Sequence, residues 1–147
     1  MKPLKKFNEY IDLGIIRKQK PDEERALSLE KESERKKKSL TEFLNKIGLK
    51  EENANDVIEN CYNILMSLIR ANLFKKGYSA SGLNAHEAEI SYLFELNFLE
   101  EEINFMNELR YFRNGILYYG KELNKEYAEK VISFLKKMYK KLKDEIR

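Results

Sequence analysis

Apolar residues return at three- and four-residue steps through most of the chain, which is the spacing of one helix face. β-Branched residues are sparse, and both prolines, Pro3 and Pro21, lie near the start, so the reading is all-α. A short first helix is expected from about Lys5 to Arg17. Pro21, Asp22, Glu23 and Glu24 then open a long helix, because proline fits a first turn and acids favour the positive end of the helix dipole. Ala26, Leu29, Leu40, Phe43, Leu44 and Ile47 are its inward positions, Gly48 its stop, and the charged run "KESERKKKS" its solvated middle. A second long helix is expected from about Ala54 to Lys76, with a wide apolar arc and a stop at Gly77. "YSASGLN" reads as a turn-rich loop. Asn84 and Glu87 have capping-box spacing and open a short helix through Leu96. A fourth helix should span about Glu100 to Tyr119 and end at Gly120. Asn124 caps a fifth, in which Tyr127, Val131, Phe134, Leu135, Met138 and Leu142 repeat at helical spacing. The expected fold is an antiparallel bundle of four main helices plus a short N-terminal one.

At 147 residues and 42% apolar composition, the chain suits one domain, residues 1–147, with one core. The net charge of +3 is too small to mark a nucleic-acid binder. Its distribution changes the picture. Lys2, Lys5, Lys6, Arg17, Lys18 and Lys20 crowd the start and six bases crowd residues 136–147, whereas Asn84 to Leu109 carries acids and no base. Basic ends and an acidic middle suit self-association or a mixed-charge partner as well as RNA. Cys61 is the single cysteine, which excludes a disulfide framework and a thiolate metal cluster. With no apolar run near 18 residues, no membrane span is expected, and the protein reads as cytoplasmic.

Chemistry concentrates in "LRYFRNGILYYGKEL", Leu109 to Leu123. At about 100° per residue, Phe105, Leu109, Phe112, Ile116 and Tyr119 form one stripe, widened by Met106 and Leu117, and Arg113 falls inside that arc. A guanidinium there must be paired or must line a cleft, because an unpaired buried charge is costly. Asn107, Tyr111, Asn114 and Tyr118 line the other side beside Arg110. Such flat hydrogen-bonding side chains suit a protein partner or stacked bases. Gly115, which costs a helix roughly 1 kcal/mol against alanine, points to a backbone approached closely by another helix.

These long paired helices, with "SGLNAHEAEISYL" and "RYFRNGILYYGKEL", resemble a HEPN domain of the small stand-alone kind common in archaea. The resemblance covers about residue 10 to the end. It implies a helical homodimer, and in many members a metal-independent ribonuclease that cuts through the ribose 2′-OH and is encoded as a toxin with a minimal nucleotidyltransferase. The family signature is arginine, often followed by asparagine, and then histidine after four to six intervening residues. Arg113 and Asn114 match its first half. The second half departs: Tyr118 and Tyr119 stand where histidine is expected, and a phenol titrating near 10 is a poor base at neutral pH.

His86, the chain's one histidine, sits in "AHEAE" near two glutamates, where a helix N-terminus would lower its pKa. "HEAE" lacks the second histidine of a zinc-protease motif, and no metal or other cofactor is expected. The residues thus give Arg113 and Tyr118 as the catalytic candidates. Arg110, Tyr111, Asn114, Tyr119 and His86 are the candidates for contact with nucleotide, RNA or a protein partner. A degenerate HEPN-like homodimer that binds nucleotide, RNA or a nucleotidyltransferase is the leading expectation, and a metal-independent ribonuclease toxin the alternative.

Overall fold

The computed structural model describes every residue except Lys121 and the side chains of Leu117 and Tyr118. Among the described residues six α-helices run in the order α1 (Phe7–Asp12), α2 (Glu23–Lys46), α3 (Ala54–Lys76), α4 (Ala85–Ser91), α5 (Glu100–Tyr119) and α6 (Lys125–Ile146). Two short strands interrupt them, β1 (Ile16–Lys18) between α1 and α2 and β2 (Tyr78–Ala80) between α3 and α4. The four long helices α2, α3, α5 and α6 are the expected bundle.

α3 is its axis. It packs against α2, α6 and α5, and it is buried on nearly all sides, Ile64, Met66, Ala71 and Asn72 included. An apolar sequence all round a helix has no other stable place. Leu109 and Met106 of α5 and Val131, Met138 and Leu142 of α6 complete the core against it.

The strands correct two expectations. The first helix was expected to include Ile16 and Arg17, and residues 78–80 to be loop; instead Ile16–Lys18 and Tyr78–Ala80 pair antiparallel, Ile16 with Ala80 and Lys18 with Tyr78. Gly14, at φ +75°, ends α1 early, and the Ile15–Ile16 pair that follows favours extended backbone. Pro21 also stands outside its helix. Asp22 is the N-cap, its carboxylate accepting from the Arg25 N–H at 2.9 Å.

The middle of α2 is not simply solvated. Ser33 is fully buried and donates to the Glu30 carbonyl at 2.6 Å, and Lys143 of α6 reaches both Glu30, at 2.6 Å, and Glu34. Charged residues there face α6. Ile47, expected inward, is exposed because it lies past the last turn of α2. At α4, Asn84 adopts the left-handed conformation and its side chain makes no cap, while Glu87 accepts from the Tyr10 hydroxyl at 2.7 Å. That contact ties α1 to α4 and replaces the expected capping box. α4 then tightens into a 3₁₀ turn over Tyr92–Phe94, short of Leu96. Asn124 caps α6 as expected, accepting from the Tyr127 N–H at 2.8 Å. Gly115 lies within α5, and its carbonyl accepts from the Gly120 N–H.

Candidate functional site

Three helices bring charged and hydrogen-bonding side chains to one place. α5 supplies Arg110 and Arg113, α3 supplies Tyr62 and Arg70, and α4 supplies His86 and Glu89. Because α3 is apolar on most sides, its one guanidinium must leave through the seam with α4. There Arg70 Nε donates to Glu89 Oε2 at 2.9 Å, and a terminal nitrogen lies 3.2 Å from His86 Nε2. Tyr62 Oη lies 3.5 Å from His86 Nδ1.

Chemistry assigns the imidazole's proton. A guanidinium has no lone pair to offer, so His86 Nε2 must be the acceptor from Arg70. The neutral ring therefore carries its hydrogen on Nδ1, toward Tyr62. Burial holds His86 below its ordinary pKa, and the positive charges of Arg70, Arg113 and Arg110 push it the same way. Burial raises Tyr62 to about 12 against the pull of the same arginines. The Glu89 carboxyl is raised by burial, with Arg70 opposing. Glu89 is 7% exposed, and its Oε1 has no hydrogen-bond partner.

Arg113 is the least satisfied of the arginines. Its guanidinium carbon lies 5.6 Å from the centre of the Tyr62 ring, and its buried Nε has no hydrogen-bond partner. Among the described residues no carboxylate lies within ion-pair distance of it. Arg110 is held differently. Its Nε and one terminal nitrogen both donate to Asn107 Oδ1, at 3.0 and 2.9 Å. Asn107 in turn donates to the Lys2 carbonyl at 3.3 Å. Asn107 is 2% exposed, so it lies beneath Arg110 and does not share the outward face expected for it.

Of the sequence candidates, Arg110, Arg113 and His86 thus meet in one electrostatic cluster. Asn114 is half-buried on α5, and Tyr111 is exposed. Tyr119, assigned to the apolar stripe, is 86% exposed, because the last turn of α5 projects beyond the core. The Tyr118 side chain lies outside the described residues. Tyr62, Arg70 and Glu89 were missed. Arg70 had a signal: it is the sole charge from Cys61 to Phe74, in a helix otherwise apolar enough to be buried. Cys61, its thiol pushed up to about 12 by burial, is unreactive packing.

A concavity of about 740 Å³ lies apart from this cluster, on another side of α5, lined by Glu51, Glu52, Glu108, Glu122 and Glu126 with Asn55, Tyr127 and Lys130. Its acids would repel a phosphate. Among the described residues no group of three or more His, Cys, Asp or Glu is placed to hold a metal ion, and no helix is long and apolar enough to cross a membrane.

The His86 environment predicts a pH effect. Well above pH 6.5, both folded and unfolded chains hold this ring neutral. As pH falls through 6.5 the unfolded chain takes up the proton first, so stability is lost toward the lower folded pKa. Glu89, with its raised pKa, acts in the opposite direction at lower pH. Urea unfolding between about pH 5 and 7 should therefore show a shallower slope for His86→Gln than for wild type, with Glu89 common to both. Parallel slopes would contradict the burial of a neutral ring.

No protein-family model, curated protein or solved structure matches this chain.

Proposed function

We propose that this chain is a HEPN-like homodimeric protein that binds a nucleotide or RNA through the Arg113–Asn114 pair and the arginines beside it. The observation that carries this reading is the state of Arg113: a guanidinium over a buried tyrosine ring, its Nε buried without a hydrogen-bond partner. A structural arginine would spend those donors on a carboxylate or on carbonyls at a helix end. Arg113 as a whole is half-buried, so its terminal nitrogens, and not the buried Nε, are the donors a phosphate oxygen can take from outside. Arg110, anchored to Asn107, adds a second positive group on the same helix.

Binding is favoured over cleavage. The lone pair of His86 that could take a proton faces Arg70, and burial together with three guanidiniums resists its protonation. A ribonuclease toxin would need another base at neutral pH. A minimal nucleotidyltransferase, the partner that the HEPN resemblance implies, belongs to the same reading, and the exposed Tyr111 and Tyr119 of α5 are the side chains offered to it.

The test is RNA binding by wild type and Arg113→Ala at low salt in EDTA, with light scattering for size. The variant should bind about tenfold or more weakly, as expected for one lost charge-assisted contact of about 1.5–3 kcal/mol. Its melting temperature should hold, since no ion pair is broken. Wild type should scatter as twice 17.5 kDa. Equal RNA affinity in the two proteins would refute the reading, and Arg113-dependent cleavage would replace it with the ribonuclease.

A further inference from the structure

We infer that Arg70, Arg110 and Arg113 form one subsite for the dianionic terminal phosphate of a nucleotide or an RNA end, with His86 a positioning residue that aims Arg70. This inference rests on the nucleotide- or RNA-binding reading above and specifies which phosphate the site takes.

Charge count comes first. Arg70 is matched by Glu89 at 2.9 Å. Arg110 is forked onto a neutral amide, and Arg113 meets no described carboxylate at ion-pair distance. Two guanidinium charges therefore remain uncompensated in one cluster. A phosphodiester carries a single negative charge and would leave one of them unmatched, whereas a terminal phosphate carries about −1.5 to −2 near neutral pH.

Placement comes second. The arginines come from two helices, α3 and α5. Arg70 lies 3.2 Å from His86, whose other ring nitrogen is 3.5 Å from the Tyr62 hydroxyl. Arg113 lies 5.6 Å from the centre of that tyrosine ring, and Arg110 precedes Arg113 by three residues on α5. A groove that follows a nucleic-acid strand spreads its bases along a track. Here they converge, which suits one phosphate group with several oxygens to satisfy. Arg70 is held for this by two anchors, Glu89 on Nε and His86 on one terminal nitrogen, and the other terminal nitrogen is uncommitted among the described residues. Its side chain is 30% exposed, so that nitrogen can be reached. Tyr62, 1% exposed, is the floor under Arg113 and supplies no ligand contact itself.

The experiment uses the full chain and matched pairs of ligands at one ionic strength: a short RNA with a 5′-phosphate against the same RNA with a 5′-hydroxyl, and AMP against adenosine, with inorganic phosphate as competitor. Wild type should prefer the phosphorylated member of at least one pair by about tenfold or more, the value of one further charge-assisted contact. Preference within the AMP pair alone assigns a free nucleotide, and preference within the RNA pair assigns a strand end. Arg70→Ala with Glu89→Gln removes the arginine without stranding the buried carboxylate, and this double variant should lose most of the preference while keeping the wild-type far-UV circular dichroism. His86→Gln, whose amide oxygen can still accept from Arg70, should retain it. Wild type that binds RNA through Arg113 with no preference for either phosphorylated member would overturn the terminal-phosphate subsite and leave the RNA-binding reading intact. Absence of binding to every ligand would overturn both.

Discussion

Arg70→Ala is expected to cost the fold about 3 kcal/mol, the lower end of what breaking a buried ion pair costs. The lower end applies because Arg70 is partly exposed, while Glu89 is almost wholly covered. Glu89 Oε1 already lacks a hydrogen-bond partner, so removing the donor to Oε2 would leave the whole carboxylate unpaired in a low-dielectric seam. Its pKa, already raised by burial, should rise further, and the variant should recover stability as pH falls below neutral. Adding Glu89→Gln should restore most of the loss at neutral pH, because a neutral amide costs far less to bury. Urea denaturation of the single and double variants measures both effects. A single variant as stable as wild type would mean that Glu89 finds solvent or another donor, and the seam between α3 and α4 would not be the closed one seen here.

Gly77→Ala should be destabilising by about 2–5 kcal/mol, combining a left-handed backbone cost with a forced steric contact. Gly77 sits at φ +87°, and a Cβ there would come within 2.5 Å of the Gln19 carbonyl oxygen, with Pro21 Cδ at 3.4 Å. The Gln19 N–H donates to the Gly77 carbonyl at 2.8 Å, so the two backbones are already bonded and have no room to part. Gly14 is the control. Its φ is +75° but nothing lies within 4 Å of its virtual Cβ, so Gly14→Ala should cost about 1–2 kcal/mol, the backbone part alone. Thermal unfolding of the pair separates the terms. Equal losses would show that the β1–α2 link yields easily and that close approach at Gly77 has no energetic weight.

The long helices were legible because their signals are local. α3 and α5 begin and end at the expected residues, marked by Gly77 and Gly120 in the left-handed conformation. The cap of α6 at Asn124 is a contact three residues long, which any reader of the chain can find. The small sheet was not legible, since Ile16–Lys18 and Tyr78–Ala80 are each too short for a period and acquire their bonds from a partner some sixty residues away. Ser33 and Lys143 belong to the same class. The charged run around Ser33 looks solvated until α6 is laid against it.

The candidate site divides along the same line. That Arg113 falls within an apolar arc, and that Arg110 and Asn114 accompany it, follows from helical geometry applied to one segment. That Asn107 turns inward to hold Arg110, that Tyr62 lies under Arg113, and that His86 meets Arg70 are contacts between segments. By itself the sequence determined the identity of the long helices, the ends of α3 and α5, most of the apolar faces and the residue types available to a site. Tertiary structure alone decided which charges are matched and which are left over. Hydrogen bonds and ion pairs act over a few ångströms in space, and the chain order does not say which side chains folding will bring within that reach.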